Sequence, residues 1–203
     1  KLYREIVETA PASDVAAWSA LALARMKHLV PVGKDPDYED VRSAYLDEVI
    51  KRYPNHPAAD EAMIYYLSTY VATQNPEDAH RALAGARTFV AERPDSGFLS
   101  AAHTLAVLSC EVLDDRDGRL EHVVKALETM EPDPHNPFYD LAYRSWLVAT
   151  TAEFAAGGFE TARRFYHKMI NEYPPDIRRF GAQQALARTA ALEAELRQQA
   201  AGE

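Results

Sequence analysis

The sequence has one cysteine and few glycines, and both scarcities limit what the chain can be. Cys110 has no second cysteine to pair with, which excludes an intramolecular disulfide and a metal site built from several cysteines. Glycine accounts for 8 of the 203 residues, whereas Ala, Leu, Glu and Arg dominate the periodic stretches, a composition that favours helix. Hydrophobic residues make up 47%, which is enough to bury a core.

Positive charge and long apolar runs are also scarce. The 22 Lys and Arg against 31 Asp and Glu give a net charge of −9. Nucleic-acid backbones and anionic membranes favour clustered Lys and Arg, so we expect neither as the main partner. No apolar run approaches the roughly 18 residues that a membrane-spanning helix needs, and we predict no membrane insertion.

The start of the chain lacks both an initiator Met and a signal peptide. It opens with Lys1-Leu2-Tyr3, and its first residues already have a helical pattern. We therefore expect a mature fragment of something longer, from which any targeting segment has been removed.

Prolines, by contrast, recur with a fixed period of 40 residues, at Pro54, Pro94, Pro134 and Pro174. An apolar residue lies four positions before each proline and an alanine eight positions after it. These residues are Ile50, Val90, Met130 and Ile170, and Ala62, Ala102, Ala142 and Ala182. Such a period predicts a repeat architecture of helices that end at the prolines.

The helical pattern predicts about ten helices in one domain, residues 1–203. Ser13, Asp37 and Asn75 are expected N-caps, and either Asp95 or Ser96 is expected to cap the helix from about residue 97. The last six residues are expected to fray. The helices should form five antiparallel pairs, at roughly 3–29, 38–74, 77–114, 119–156 and 159–199.

Residues 144–174 resemble a known repeat. Their sequence is RSWLVATTAEFAAGGFETARRFYHKMINEYP, which is similar to a tetratricopeptide repeat. The positions that match are Trp146, Ala149, Thr150, Gly157, Ala162, Tyr166 and Pro174. Residues 52–96 also look like the repeats of bacterial periplasmic lipoproteins of envelope assembly and Tol-associated complexes.

The resemblance implies an all-α fold, a right-handed α-α superhelix of tetratricopeptide-like helix pairs. It favours the bacterial periplasm over the cytoplasm, and it implies a role in binding other proteins. The spacing of 40 residues, rather than the usual ~34, implies that some helices are longer.

In such repeats the first helix of each pair lines a concave groove, and here those helices are roughly 57–74, 97–114 and 137–156. Helical spacing assigns Ala59, Ala62, Met63, Tyr66 and Tyr70 to the packed face of the first. Six other side chains are then predicted to face the groove and contact a bound peptide or helix. They are Tyr65, Thr69, His103, Glu111, Arg144 and Thr151.

The patterns that indicate catalysis or metal binding are missing. There is no HxxxH, no Gly-rich phosphate loop and no GxSxG elbow. Cys110 lies in an apolar helix and is expected to be a buried, inert thiol. Glu131, Asp133 and His135 share a loop, but two prolines there favour an extended path. We therefore predict no catalytic residue, no metal and no cofactor.

The sequence thus favours a non-enzymatic scaffold that binds a protein or peptide partner. One alternative is a structural or oligomerisation module that uses an end helix, residues 1–30 or 176–200, which allows a homo-oligomer. A less favoured alternative is an enzyme or small-ligand receptor with a site between helices, near His103 or His135.

Overall fold

The computed structural model of the chain describes residues 1–31, 33–130, 158–172, 175 and 177–202. Every regular element in these ranges is a helix, which confirms the predicted all-α class. The helices are α1 Leu2–Thr9, α2 Asp14–His28, α3 Tyr38–Tyr45, α4 Pro57–Ala72, α5 Pro76–Glu92, α6 Leu99–Val112, α7 Arg116–Glu128, α8 Glu160–Glu172 and α9 Ile177–Gly202. The predicted helix 137–156 lies outside the described residues.

Helix α3 continues directly into a π-helical turn, Leu46–Ile50. The Lys51 N–H donates to the Leu46 carbonyl, five residues back, at 2.9 Å. This turn directs the buried side chain of Val49 into the core. Pro54 follows the end of the helix, as its position in the sequence predicted.

The three predicted caps are confirmed. Ser13 accepts from the Ala16 N–H, Asp37 accepts from the N–H groups of Glu39 and Asp40, and Asn75 accepts from the Glu77 N–H. Pro57 and Pro76 occupy the first position of α4 and α5, where a proline's missing N–H leaves no hydrogen bond unmade.

Three details differ from the prediction. Helix α6 begins at Leu99 and has no side-chain cap, because Ser96 accepts from the Phe98 N–H, ahead of the helix. Helix α7 begins at Arg116, three residues early, because Asp115 caps it through the Gly118 N–H. Helix α9 extends to Gly202, through residues for which fraying was predicted.

The core follows the chain in successive clusters. One joins α1 to α4 around Leu21, Val41 and Tyr45, and the next joins α4 to α6 around Ile64 and Leu105. A third joins α7 to α8 and α9. Its buried members are Leu127, Met130, Ala162, Phe165, Tyr166, Met169 and Ala182.

Three of the four periodic alanines lie where helices meet, and the fourth, Ala142, lies outside the described residues. Ala62, Ala102 and Ala182 are all buried, and small side chains at these places allow close approach of neighbouring helices. Consecutive helices from α1 to α7 pack on one another, as do α8 and α9, and α4 also contacts α2 and α6. No helix among the described residues is long and apolar enough to cross a membrane.

Candidate functional site

A groove between α4 and α5 contains a cavity of about 500 Å³. The apolar and tyrosine side chains of its floor and walls are Ile50, Ala59, Met63, Tyr66, Leu67, Tyr70, Ala84 and Phe89. Its remaining lining residues are Asp60, Arg81, Gly85, Thr88, Glu92 and Arg93. We refer to this cavity and its lining as the α4–α5 groove.

Gly85 sets how closely the two helices approach at the bottom of the groove. A Cβ atom at this position would lie 2.4 Å from Cδ2 of Leu67, which is buried on α4. Any larger residue would therefore force the Leu67 side chain to shift. Ala84 and Thr88, exposed on the same helix, leave the upper part of the groove open.

Two tyrosines from successive turns of α4 form one wall. Their hydroxyl groups are 3.0 Å apart, and the rings of Tyr66 and Tyr70 meet edge to face. The guanidinium of Arg42 lies 4.0 Å from the centre of the Tyr70 ring. Burial, together with the hydrogen bond to Tyr70, raises the pKa of Tyr66 to about 12. This phenol is therefore protonated, and able to donate a hydrogen bond, at any physiological pH.

Ion pairs fix Asp60, Arg81 and Arg93, three of the four charged residues at the rim. Arg93 binds the Asp60 carboxylate at 3.0 Å and the Pro54 carbonyl at 2.7 Å. Arg81 binds Asp78 at 3.1 Å on the other side of the groove. Because both arginines have acidic partners within the chain, the rim has little unbalanced charge with which to select a ligand.

A second polar cluster lies where α2, α3 and α4 meet. The Tyr45 and Tyr65 rings are stacked with centroids 5.7 Å apart, and Arg25 lies over Tyr65 and 3.5 Å from Glu61. Burial raises the pKa of Glu61, although the Arg25 charge opposes this. His28 Nδ1 is 3.3 Å from the Tyr45 hydroxyl. The cluster joins three helices through paired polar groups.

The structure separates the four predicted groove residues that it describes. Tyr65 is half-buried beneath Arg25, and Thr69 is fully buried, accepting from Arg42 Nε at 2.9 Å. His103 is buried against α7, whereas Glu111 is exposed at the end of α6. Arg144 and Thr151 lie outside the described residues, and their assignment stays a prediction.

The packing of α4 explains the placement of these side chains. It contacts α2, α3, α5 and α6, so its buried residues are not confined to one stripe. Ala59 and Ala62 are buried as expected, but Met63, Tyr66 and Tyr70 remain partly exposed and line the groove. The sequence did contain a signal for this site, namely the small residues Ala84 and Gly85 inside a helix.

Two histidines meet inside the contact between α6 and α7. Nδ1 of His103 is 3.3 Å from Nδ1 of His122, and both side chains are buried. Burial and the neighbouring His122 lower the pKa of His103 to about 4. Burial and Arg87 also lower the pKa of His122, whose Nε2 is buried without a hydrogen-bond partner. The pair is therefore neutral at pH 7.

Cys110 is buried, as predicted. Burial and the adjacent Asp115 raise the pKa of its thiol to about 11, which disfavours the thiolate. Across the parts of the chain that the structure describes, no three His, Cys, Asp or Glu side chains are grouped to hold a metal ion. The loop residues Glu131, Asp133 and His135 are not among those described.

Comparison with known proteins adds no family to this geometry. No family model matches the chain, and no curated protein matches it. The likeness to tetratricopeptide repeats stays a prediction from the sequence.

Proposed function

We propose that the chain is a non-enzymatic interaction module of tetratricopeptide-like helix pairs, wound as a right-handed superhelix, that binds a partner protein in the α4–α5 groove. The observation that carries this proposal is the open groove itself, where Met63, Tyr66 and Tyr70 stay partly exposed. Aromatic side chains with a polar tip are favoured at protein interfaces.

The size and lining of the groove favour one kind of ligand. A cavity of about 500 Å³ accommodates a few large side chains, so it suits an apolar helix or peptide segment and not a whole domain surface. Apolar side chains of the partner would pack on Met63 and the ring of Phe89. The hydroxyls of Tyr66, Tyr70 and Thr88 would supply hydrogen bonds that orient the segment.

The chemistry of the lining supports binding over catalysis. Its residues include no histidine, cysteine, lysine or serine, which are four of the side chains that commonly act as nucleophiles or proton-transfer groups. Its Asp60 carboxylate is occupied by Arg93. What remains is mostly apolar surface with hydroxyl groups, together with Arg81 and the exposed Glu92 at the rim, and such a lining suits recognition.

A matched pair of variants on α5 tests the site. Thr88→Arg places a long cation in the groove, whereas Ala91→Arg adds the same charge to an exposed position of the same helix that does not line it. Peptides selected from a displayed random library on the unmodified chain would be measured on both variants by titration calorimetry. We expect Thr88→Arg to weaken binding at least tenfold and Ala91→Arg to leave it unchanged.

Equal affinity for the two variants would contradict the groove assignment. The predicted residues Tyr65, Glu111 and Arg144 can be changed to alanine in the same assay. A loss of binding confined to Glu111→Ala and Arg144→Ala would instead favour the groove predicted from the sequence.

A further inference from the structure

Exposed apolar side chains are concentrated at the amino-terminal end of the molecule. Of the ten large hydrophobic residues that are exposed in the described chain, seven lie between residues 2 and 30. Four belong to α2 and its C-cap: Val15 is 56% exposed, Trp18 38%, Met26 49% and Leu29 78%. Single exposed hydrophobic residues are common on protein surfaces, but a concentration on one helix indicates a contact.

These four side chains form one stripe along α2. At 100° per residue, Val15, Trp18, Met26 and Leu29 fall on the same side of the helix as the half-buried Ala22. The opposite sides of α2 are covered by α1, α3 and α4. The buried residues of α2 are Ala16, Ala17, Ser19, Ala20, Leu21 and Ala24, of which Ser19 borders the outward side. We call the five outward residues the α2 stripe.

The α2 stripe is symmetric about its centre. Val15 and Leu29 lie seven residues to either side of Ala22, and Trp18 and Met26 lie four residues to either side. In an antiparallel pair with a two-fold axis at Ala22, Val15 would meet Leu29 of a second copy, and Trp18 would meet Met26. Ala22 would let the helices approach closely, and thioether–aromatic contacts are favourable.

The charges of α2 complement one another in the same arrangement. Its first turn contains the acidic Asp14, and its last turn contains the basic Arg25, Lys27 and His28. The side chain of Asp14 is 77% exposed and those of Arg25 and Lys27 about half exposed. Within the chain Lys27 pairs with Asp40 on the side facing α3, whereas Asp14, next to His56, and Arg25, next to Glu61, flank the α2 stripe on the same side. An antiparallel pair brings this Asp14 near Arg25 of the other copy, whereas a parallel pair would place like charges side by side.

We propose that the chain forms a two-fold symmetric homodimer in which the α2 stripes of two copies pack antiparallel about Ala22. The occupant of this exposed apolar face is thus a second copy of the chain. The inference is independent of the α4–α5 groove, because none of the stripe residues lines that cavity.

Light scattering after gel filtration tests the dimer directly. The unmodified chain should have twice the 22.7 kDa mass of one copy across the micromolar range. Ala22→Glu puts two like charges against each other on the axis and should give a monomer. Leu192→Glu changes an exposed hydrophobic residue of α9 in the same way and should leave the dimer intact. A monomeric unmodified chain, or a dimer that survives Ala22→Glu, would overturn the proposal.

Disulfide trapping tests the orientation even if Ala22→Glu fails to fold. Across the two-fold axis the two Ala22 residues face each other, whereas two Val15 residues lie about 21 Å apart along the helix axis. Disulfide formation needs Cα atoms within about 7 Å. Mild oxidation should therefore cross-link Ala22→Cys but not Val15→Cys, and the native Cys110 is buried.

Equal cross-linking of both variants indicates a parallel pair, and no cross-linking of Ala22→Cys places the contact elsewhere. Either result overturns the proposal.

Discussion

Gly118 is a residue whose missing side chain allows a cap to form. Its N–H donates to Asp115 Oδ1 at 2.9 Å, which begins helix α7. A Cβ at this position would lie 2.3 Å from the other carboxylate oxygen of Asp115 and 3.0 Å from Cys110 Sγ. Gly181, in α9, has open space around the corresponding position.

The same substitution should therefore have opposite effects at these two glycines. Gly118→Ala displaces the capping carboxylate and crowds Cys110, so we expect a net loss of about 1–2 kcal/mol. Gly181→Ala only improves helix propensity and should gain up to about 1 kcal/mol. Urea unfolding followed by circular dichroism measures both values. A gain in stability for Gly118→Ala would show that the Asp115 carboxylate can cap α7 without the space left by the missing side chain of Gly118.

Three of the predicted N-caps are correct, and in each the interaction is local. Ser13, Asp37 and Asn75 cap their helices through N–H groups two or three residues away, so type and spacing were sufficient. The sequence did not predict the cap of α4, because that cap is His56 and not one of the preferred Ser, Thr, Asp or Asn residues. Its Nδ1 accepts from the Ala58 N–H while Nε2 lies 2.7 Å from Asp14, which is 42 residues away in sequence.

At the scale of elements, the contact between α6 and α7 contains the buried histidine pair. When both rings are neutral, an Nδ1–H on one ring can donate to a bare Nδ1 on the other, at 3.3 Å. If both rings were protonated, two N–H donors would face each other at this distance. The charged groups that act on the pair are Arg87 on α5, Asp115 at the start of α7, and Glu121, Lys125 and Glu128 on α7.

We expect the α6–α7 contact to lose stability in acid. The folded-state pKa of His103 is about 4 against 6.5 in the unfolded chain, so between these values the unfolded chain binds more protons. The stabilisation is fully present above pH 6.5 and decreases as the pH falls towards 4. For His103 the loss is on the order of 3 kcal/mol. Thermal unfolding between pH 7.5 and pH 4.5 measures it.

A double variant isolates the pair from the other titrating groups. His103→Gln combined with His122→Gln keeps polar side chains that can pair but do not titrate, and should flatten the pH dependence. His28→Gln removes a partly buried histidine between α2 and α3 and should leave the α6–α7 part unchanged. An acid-induced loss as large in the double variant as in the original chain would contradict the assignment.

Helix α6 also shows why some burial could not be read from the sequence. Ten of its 14 residues are buried, including several polar ones. Ser109 donates to the Leu105 carbonyl at 2.8 Å, and Ser100 donates to the Ala126 carbonyl at 2.9 Å. Because backbone carbonyls accept from these hydroxyls, a polar residue can lie inside. The 3.6-residue pattern of hydrophobic residues therefore predicts a buried face that is too narrow. It assigned His103 to the exposed side of the helix.

At the scale of the whole molecule, the described helices form a series in which contacts are mostly between neighbours. The periodic prolines and alanines predicted this serial packing because they mark helix ends and helix contacts. They could not predict the α4–α5 groove, because its opening depends on which side chains of α4 face α5. In such a series, local stability should follow the burial of each helix.

Hydrogen exchange should therefore be uneven along the chain. Helix α6 is enclosed by α4, α5 and α7 and is expected to exchange slowest, at a rate close to that of global unfolding. The second half of α9 has no buried side chain after Thr189, so it should exchange fastest among the long helices. Exchange followed by mass spectrometry in low urea measures this order.

Raising the urea concentration should bring the rates of α4 and α6 together, because both belong to one core cluster around Ile64 and Leu105. Uniform protection from α2 to α9 would instead show that the chain unfolds as a single cooperative unit.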